Sequence, residues 1–341
     1  NLASPGEFSN IVDEKSNPSL AMDQRHLFLR LKENAQIFKM RSNIIRCFRD
    51  WLFDQDFTEV TPPTLVQTQV EGGSTLFHVD YFGSPAFLTQ SSQLYLETCI
   101  ASLGNVFCVV PSYRAEKTRT RRHVCEYTHY EAELPFIKFD DLLQHLEDIV
   151  VSVCELIVSR HGDLLKRFNP SFKAPKRPFK RMNHSEAIQF CREHQIYKDP
   201  NTREHFEPGD DIPEAPERQM IEIIGEPVLL CRFPAKMKPF YMQRCPEDND
   251  ATESVDLLMP GVGEVVGGSM RETNYERLKK GFEDKDIDPE NYYWYLDLRK
   301  YGTVSHGGYG LGIERFLCWV LNRDHIRDVC LYPRFTNRCK P

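Results

Sequence analysis

The sequence predicts an α+β fold, an antiparallel β-sheet flanked by helices. Two long segments have apolar residues at intervals of three and four, as amphipathic helices require. Several short apolar runs between residues 212 and 268 are separated by Pro, Asp and Gly, a pattern typical of antiparallel strands. Helices and strands are grouped and do not alternate regularly, which favours α+β over a doubly wound parallel sheet.

Composition limits the class of protein. The chain has 341 residues, 40% of them hydrophobic, which is enough for a substantial core. No run approaches the roughly 18 apolar residues of a membrane helix, and no secretory signal is visible, so no membrane partner is expected. The eleven cysteines form no paired C-x-x-C motifs, which disfavours disulfides and structural zinc. These features predict a globular protein of the reducing cytoplasm.

The N-terminal third begins with a polar segment. Residues 1–25 contain Pro and Ser without a sustained period and predict a linker or frayed arm outside the core. Because the first residue is not Met, we expect a processed or truncated chain. A long helix is predicted from about Ala35 to Gln55, followed by a strand in "DFTEVTPPTLV". That strand should end or lie at a sheet edge, because Pro62 and Pro63 cannot donate ladder hydrogen bonds.

The middle of the chain predicts one helix and several strands. Apolar residues from Asp140 to His161 form one broad helical face. Residues 162–183 are Pro-rich and basic, and we favour a solvated connector over a nucleic-acid contact. The strands should follow in "PVLLCRF", "PFYMQR", "SVDLLM" and "GEVVGG".

A local concentration of positive charge is the first functional signal. Five of the nine residues from Arg114 to Arg122 are basic, although the whole chain has a formal charge of −7. Because β-like segments precede and follow this run, it is predicted to be the loop of a hairpin. Arginine forks match phosphate oxygens, and Tyr127 offers a face on which a base can stack. A solvated basic turn remains an equal alternative by composition alone.

Two further patterns complete a candidate nucleotide site. The glycines of "SHGGYGLG" permit close approach to a ligand or strand, and "IERFLCWVL" predicts a short helix. Arg315 near the start of that helix favours a bound anion, because the helix N-terminus is already positive. Asp256 and Glu264 fall on neighbouring strand positions and suit Mg²⁺, although each taken singly is as well explained as a surface carboxylate. Together these residues predict a nucleoside triphosphate site without a P-loop.

The same segments resemble a known family. "FTEVTPPTL", "YRAE…RRHVCEY" and "GYGLGIERF" resemble motifs 1, 2 and 3 of class II aminoacyl-tRNA synthetase catalytic domains, from about Asp23 to Pro341. Between them, "EGGSTLF", "TQSSQLYLE" and "YWYLDLRKYGTVSHGG" resemble the asparagine-specific branch of subclass IIb in the eukaryotic cytosol. The resemblance implies a homodimer through motif 1, whose proline is matched by Pro63.

The resemblance also divides the chain. Residues 1–25 would be a linker or hinge remnant, and residues 26–341 the class II catalytic domain. The N-terminal β-barrel that reads the anticodon in this family needs roughly 100 residues, which the first 25 cannot encode. We therefore expect a catalytic domain without that barrel, which forms adenylate but charges tRNA poorly.

The resemblance implies roles for residues at the ATP end of the site. Catalysis would come from charge neutralisation by two arginines with Mg²⁺, and no side-chain nucleophile or general base is required. The implied ATP-site assignments are Arg114 on the α-phosphate, Glu116 on the adenine amino group, Tyr127 stacked on the ring, Arg122 and His123 closing the motif 2 loop, Gly312 and Arg315 in motif 3 with Arg315 on the γ-phosphate, and Asp256 and Glu264 on Mg²⁺.

The choice of amino acid follows from charge. In similar aspartyl enzymes a lysine meets the substrate carboxylate at the position of Leu96, which is otherwise equally well read as a core leucine. Arg271 can donate to a side-chain carbonyl, and Glu131, on the same strand face as Tyr127, can accept from an amide. Aspartate would place a carboxylate against Glu131, which is unfavourable in a desolvated pocket. By the resemblance, Glu71 and Gln93 hold the α-amino group and backbone of the amino acid.

The implied reaction is activation of L-asparagine by ATP to asparaginyl-adenylate, followed by transfer to the terminal adenosine of tRNA(Asn). The basic loop would then face the triphosphate and the acceptor end of tRNA. Three alternatives stay open. They are an aspartyl-tRNA synthetase, an ammonia-dependent asparagine synthetase on the same fold, and a catalytically silent interaction module, which the full set of arginines and carboxylates disfavours.

Overall fold

A computed structural model describes residues 11–72, 75–117 and 120–341. Residues 1–10 of the predicted arm, residues 73 and 74 of "EGGSTLF", and residues 118 and 119 of the basic loop lie outside the described residues. The helices are α1 Pro18–Asp23, α2 Arg25–Phe28, α3 Lys32–Asp54, α4 Gln93–Leu103, α5 Phe139–Leu165, α6 His184–Glu193, α7 Glu214–Ile224, α8 Tyr275–Asp284, α9 Tyr293–Lys300 and α10 Ile313–Leu321. The strands are β1 Thr58–Glu59, β2 Leu65–Val66, β3 Phe77–Tyr81, β4 Ser84–Leu88, β5 Val106–Tyr113, β6 Glu126–Pro135, β7 Lys180–Asn183, β8 Val228–Cys231, β9 Ser254–Met259, β10 Gly263–Met270 and β11 His306–Gly312.

A mostly antiparallel eight-stranded sheet organises the domain. Its order is β1-β5-β6-β11-β10-β9-β8-β7, and only the outer pairs β1–β5 and β7–β8 are parallel among the described strands. A smaller antiparallel sheet has the order β2-β4-β3. The predicted α+β fold with helices flanking an antiparallel sheet is therefore confirmed.

Helices α3, α5 and α10 cover one face of the large sheet and form the main core with it. The apolar stripe predicted for the first long helix is buried, with Ile37, Ile44 and Phe48 at 2% exposure or less. The second predicted helix, α5, continues to Leu165, past a non-helical residue at His161, where it was expected to end. Both helices are confirmed.

Strand β6 shows how the sheet separates core from site. Tyr130, Ala132 and Leu134 belong to the core under the helices. The intervening odd-numbered residues line a cavity on the opposite face. This division follows from the two-residue period of a strand. The sheet therefore carries the hydrophobic core on one side and a polar cavity on the other.

The predicted edge strand is present, because β1 is short, ends before Pro62 and lies at the edge of the large sheet. The described part of the predicted N-terminal arm, however, is packed and partly helical. Val12 is buried, and the buried Arg25 side chain donates to the carbonyls of Leu331 and Cys330 at 2.9 and 2.6 Å. These contacts satisfy carbonyls near the C-terminus, so residues 11–25 are not a free linker.

Three other expectations need correction. The connector predicted over residues 162–183 contains strand β7, which pairs in parallel with β8. The segment "PFYMQR" forms only isolated bridges, such as Met242 with Arg271, and no strand of its own. Residues 214–224, which fall in the region interpreted as strands, form helix α7. Within the described ranges, no helix has the length and apolarity needed to cross a bilayer.

Candidate active site

One cavity of about 370 Å³ lies on the sheet face opposite the core. Every residue singled out from the sequence as a site residue lines it. They are Glu71, Gln93, Arg114, Glu116, Arg122, His123, Tyr127, Glu131, Asp256, Glu264, Arg271, Gly312 and Arg315. Residues separated by more than 200 positions are therefore brought together as predicted, although proximity alone does not assign their roles.

The predicted hairpin is formed by β5 and β6, which pair up to Tyr113 and Glu126. Arg114 follows β5 directly, and its guanidinium lies 5.5 Å from the ring centroid of Tyr127. The same guanidinium donates to Glu71 Oε1 at 2.7 Å. Burial would lower the pKa of Arg114, but Glu71 and the other anionic groups nearby raise it above its usual range. A fixed cation therefore stands beside an aromatic face at one end of the cavity.

Glycines of β11 leave room for the polar side chains of β6. A Cβ atom on Gly310 would collide with the ring of His129, and one on Gly308 would collide with the Glu133 carboxylate. The close approach predicted from the glycine run is thus made to side chains of the neighbouring strand. No bulkier residue fits without displacing the cavity floor.

Two arginines converge on Glu264. Arg315, in the first turn of α10, donates to the Glu264 carboxylate at 3.0 Å and to its carbonyl at 3.1 Å. Arg122 donates to the same carbonyl at 3.3 Å, and His123 Nε2 lies 3.4 Å from Arg315. Burial and the neighbouring Arg315 lower the pKa of the His123 imidazole. Positive charge is therefore concentrated at the start of α10, as the sequence predicted.

The two candidate metal ligands face each other across Gly267. An added Cβ at Gly267 would lie 3.5 Å from both Asp256 Oδ1 and Glu264 Oε1, so the carboxylates of β9 and β10 converge there. Asp256 Oδ2 accepts from Lys238 Nζ at 3.1 Å. Burial raises the pKa of Asp256; burial would do the same for Glu264, but Arg315, Arg122 and Arg114 lower its pKa. A pair of hard oxygen donors at the cavity wall fits Mg²⁺.

The other end of the cavity holds the residues predicted to recognise the amino acid. Glu131 accepts from the Ser92 backbone N–H at 2.8 Å and from the Ser91 hydroxyl. Arg271 is paired with both oxygens of Glu133, at 2.8 and 3.0 Å. Both predicted residues thus have protein partners that fix their orientation, and both also line the cavity.

Leu96 and Gln93 lie on α4 beside these residues. Leu96 is fully buried and packs with Ile100, Val106 and Cys108, and it also lines the cavity. Leu96 is therefore a core leucine that also forms part of the cavity wall, and its position opposite the substrate side chain stays a prediction. Gln93 donates to Glu97 at 3.0 Å.

Sequence reasoning missed several polar residues around the cavity. Glu133 could have been predicted from the sequence, because Glu133 follows Glu131 by two positions and so lies on the same strand face. Glu97 follows Gln93 by one helical turn. Lys238 and Glu217 carry no local signal. Glu217, on the unpredicted helix α7, accepts from the Glu264 N–H at 3.3 Å and lies 3.5 Å from Arg122; burial and Glu264 raise its pKa to about 7.

The geometry and the sequence comparison agree on the family. The family described as tRNA synthetases class II (D, K and N) matches residues 17–336. The chain belongs to this family. The resemblance to class II aminoacyl-tRNA synthetases, inferred from the three motifs, is therefore confirmed.

Individual class II synthetases are closely similar to this chain. The cytoplasmic asparagine–tRNA ligase of Homo sapiens is 60% identical over 341 residues, which are 100% of this chain and 62% of that relative. The chain thus spans about three-fifths of the length of such relatives. Asparaginyl-tRNA synthetase from Entamoeba histolytica, solved with asparaginyl-adenylate, is 51% identical with a TM-score of 0.94, covering 99% of this chain and 76% of that one. Aspartyl-tRNA synthetase from Entamoeba histolytica is 28% identical with a TM-score of 0.82, covering 97% and 64%.

Proposed function

We propose that residues 26–341 are the catalytic domain of an asparagine–tRNA ligase. This domain activates L-asparagine with ATP to asparaginyl-adenylate and transfers it to tRNA(Asn). The observation that carries the proposal is the division of one cavity into two ends. Arg114, Arg122 and Arg315 line one end, and Arg271 with Glu131 lines the other. The similar Entamoeba histolytica enzyme was solved with asparaginyl-adenylate, which is the product of joining ligands of these two kinds.

At the ATP end, Tyr127 stacks on adenine and Glu116 receives the adenine amino group. Arg114 binds the α-phosphate, and Arg315, with Arg122, His123 and Gly312 around it, receives the γ-phosphate. Arginine suits these positions because its planar fork binds phosphate oxygens with two hydrogen bonds. In the structure Arg114 and Arg315 are paired with Glu71 and Glu264, so these cations are already oriented before phosphate replaces or joins the carboxylates.

At the amino-acid end, Arg271 donates to the side-chain carbonyl and Glu131 accepts from the side-chain NH₂. Glu71 and Gln93 receive the α-amino group and backbone. Leu96 adds no positive charge to this end, so a second carboxylate beside Glu131 is disfavoured. This arrangement argues against the aspartyl alternative.

The reaction is an in-line attack of the asparagine carboxylate on the α-phosphorus, with pyrophosphate leaving. Two anions must meet, so Arg114 neutralises the α-phosphate while Arg315 draws the leaving pyrophosphate away. Asp256 and Glu264 would hold Mg²⁺, which supplies further neutralisation of the phosphate oxygens when bound. Glu71 and Gln93 fix the amino acid at a distance from which its carboxylate can attack.

We further propose a cytoplasmic homodimer that receives the acceptor end of tRNA beside the basic loop. The location is supported by the name of the Homo sapiens relative, which is a cytoplasmic enzyme. The dimer is supported by the edge strand β1 and by two exposed apolar residues. Phe53 packs on Phe107 of β5, the strand next to β1, and Leu65 lies on β2, which follows β1 in the chain. An unpaired strand edge and apolar side chains together favour association.

The decisive test is ATP–pyrophosphate exchange by this chain, run separately with asparagine and with aspartate. Exchange with asparagine alone is expected. Exchange with aspartate instead would contradict the assignment of Glu131 and Leu96. Asparagine formation from aspartate, ATP and ammonia would favour the synthetase alternative, and ATP binding without exchange would favour the silent module.

A further inference from the structure

A buried ionic network lies behind the amino-acid end of the cavity. At its centre is Glu97, whose side chain is 0% exposed. Its carboxylate accepts from Arg299 Nη2 at 2.7 Å and from the Tyr295 hydroxyl at 2.9 Å, and it lies 3.0 Å from His306 Nε2. Glu97 does not itself line the cavity, so any effect on a ligand must pass through its neighbours.

The first neighbour is Gln93, one helical turn before Glu97 on α4. The Gln93 side-chain NH₂ donates to Glu97 Oε1 at 3.0 Å. With one N–H held in this way, Gln93 keeps its amide oxygen and its second N–H for a ligand. Glu97 therefore fixes the orientation of the Gln93 amide.

The second neighbour is Arg271. Its Nε lies 3.9 Å from Glu97 Oε1, while Glu133 accepts from Nε and Nη2 at 2.8 and 3.0 Å. Nη1 donates to the Ser269 hydroxyl at 2.8 Å. Of five N–H groups on a guanidinium, two remain for a ligand. The Arg271 guanidinium is thus paired directly with Glu133 and lies farther from Glu97, whose closer partner is Arg299 at 2.7 Å. It still presents hydrogen-bond donors.

In this arrangement Arg271 keeps hydrogen-bond donors for a ligand, although its positive charge is offset by buried carboxylates. A substrate carboxylate needs an excess of positive charge in a desolvated site, whereas a neutral amide needs only donors and acceptors. Arg271 can supply donors to either group. Two buried carboxylates, Glu97 and Glu133, balance two buried guanidiniums, Arg271 and Arg299. These four groups therefore leave no excess positive charge to favour a substrate carboxylate.

We propose that Glu97 is a positioning residue that determines specificity, because it orients Gln93 and offsets the charge of Arg271 so that the pocket favours a neutral side-chain amide over a carboxylate. The inference rests on the proposed asparagine–tRNA ligase function. It assigns selectivity to a charge outside the cavity as well as to the residues that line it.

The test uses Glu97→Gln, which keeps the shape and an acceptor oxygen but removes the charge. Asparagine-dependent ATP–pyrophosphate exchange is measured, and aspartate binding is read as its competitive inhibition of that exchange. The inhibition constant of aspartate is expected to fall about tenfold, while the KM of asparagine changes less than about threefold. An inhibition constant unchanged within twofold overturns the proposal.

Glu147→Gln is the matched control. Glu147 is also a buried carboxylate facing an arginine, with its Oε1 3.5 Å from Arg181, but it lies on α5 away from the cavity. Its substitution should leave the ratio of the two constants unchanged even where it lowers stability. A similar change in both variants would mean that loss of a buried charge acts through folding alone, which contradicts a specific role for Glu97.

Glu97→Asp keeps the charge but withdraws the carboxylate by one methylene, and it tests the inference even where the glutamine variant fails to fold. The KM of asparagine should rise about tenfold through Gln93, and the inhibition constant of aspartate should not fall. An unchanged KM, or tighter aspartate binding, counts against the proposal. If the unmodified chain shows no asparagine-dependent exchange, the proposed function itself fails; if it exchanges normally and the variants behave like it, only this inference fails.

Discussion

Arg114 is held between the ring of Tyr127 and the carboxylate of Glu71, so its guanidinium is fixed at the end of the cavity where phosphate is proposed to bind. Arg114→Gln should lower kcat for asparagine-dependent ATP–pyrophosphate exchange by about 100-fold to 1,000-fold, because a preorganised cation at developing charge acts mainly in the transition state. Steady-state exchange kinetics at saturating ATP and asparagine measure this effect.

Arg121→Gln is the control for this substitution. Arg121 is an exposed basic residue of the same loop and does not line the cavity. Its exchange rate should stay within about twofold of the unmodified chain. A similar loss in both variants would show that the loop acts through its general charge, and the specific role of Arg114 would have to be abandoned.

Which site residues could be predicted depended on how each one reaches the cavity. Arg114, Tyr127 and Glu131 follow from the hairpin β5–β6, because loop position and strand alternation are both visible in the sequence. Lys238 and Glu217 reach the same cavity region through tertiary packing alone. Their local sequence contains no periodicity that distinguishes them from surface charges.

Strand β11 depends on glycine where it crosses the cavity floor. In Gly310→Ala the new methyl group would press against His129, whose Nδ1 is 3.0 Å from the Ser112 hydroxyl. Overpacking of this kind should cost about 1–3 kcal/mol of unfolding free energy and reduce exchange activity by displacing β6. Denaturant unfolding and exchange kinetics on the same preparation measure both effects.

Gly162→Ala is the control substitution for Gly310→Ala. A Cβ at Gly162 would meet nothing within 4 Å, and the residue lies in α5. Alanine there should be neutral or stabilise by up to about 1 kcal/mol through helix propensity. Equal destabilisation by both substitutions would refute the steric explanation for β11.

Helix α5 also carries a pH-dependent contribution to stability. His145 packs against the rings of Trp51 and Phe57, and its Nε2 lies 3.1 Å from the Tyr309 hydroxyl. Burial lowers the pKa of His145 to about 4, with Asp148 partly opposing. An unfolded histidine titrates near pH 6.5, so between about pH 6.5 and 4 the unfolded state binds a proton that the folded state does not, and stability falls as the pH falls.

The expected loss from His145 is on the order of 2 kcal/mol between pH 7.5 and pH 5. His145→Gln should flatten the pH dependence of the unfolding free energy by that amount, measured by denaturant titration at several pH values. His78→Gln, at an exposed position on β3, should leave the slope unchanged. An identical slope in the His145 variant would mean that other groups control acid stability.

At the level of elements, helices with strong apolar periodicity could be predicted from the sequence, whereas segments with mixed signals could not. The stripes of α3 and α5 span more than five turns each, so interruptions do not obscure them. Helix α7 is shorter and has Pro216 in its first turn. Proline is tolerated there, but it makes the helix difficult to recognise from the sequence. The segment "PFYMQR" has strand-like residues, but tertiary contacts give it only isolated bridges.

At the scale of the molecule, strand order explains why distant motifs form one site. The central strands β5-β6-β11-β10-β9 are adjacent, and they carry the basic loop, the glycine run and the two carboxylates. Neighbouring pairs of antiparallel strands place their loops and side chains on one shared face. The position of β11 between β6 and β10 could not be predicted from local patterns. It depends on the pairing of β11 with β6, which are more than 100 residues apart in the chain.

The outer edge of the sheet leads to a prediction about assembly. Phe53 is 53% exposed near the end of α3, and its ring lies 5.4 Å from that of Phe107 on β5, the strand next to the edge strand β1. The proposed dimer would cover Phe53 and the edge of β1. Light scattering should give a mass of about twice 39.8 kDa for the unmodified chain, and Phe53→Glu should shift the population to monomer by placing a charge in the interface. Ile223→Glu is matched in exposure at 51% but lies on α7, packed beside the opposite edge at β7 and β8, so it should remain a dimer. A monomeric unmodified chain, or dissociation caused equally by both substitutions, would contradict an interface at β1, because only one of the two side chains lies at that edge.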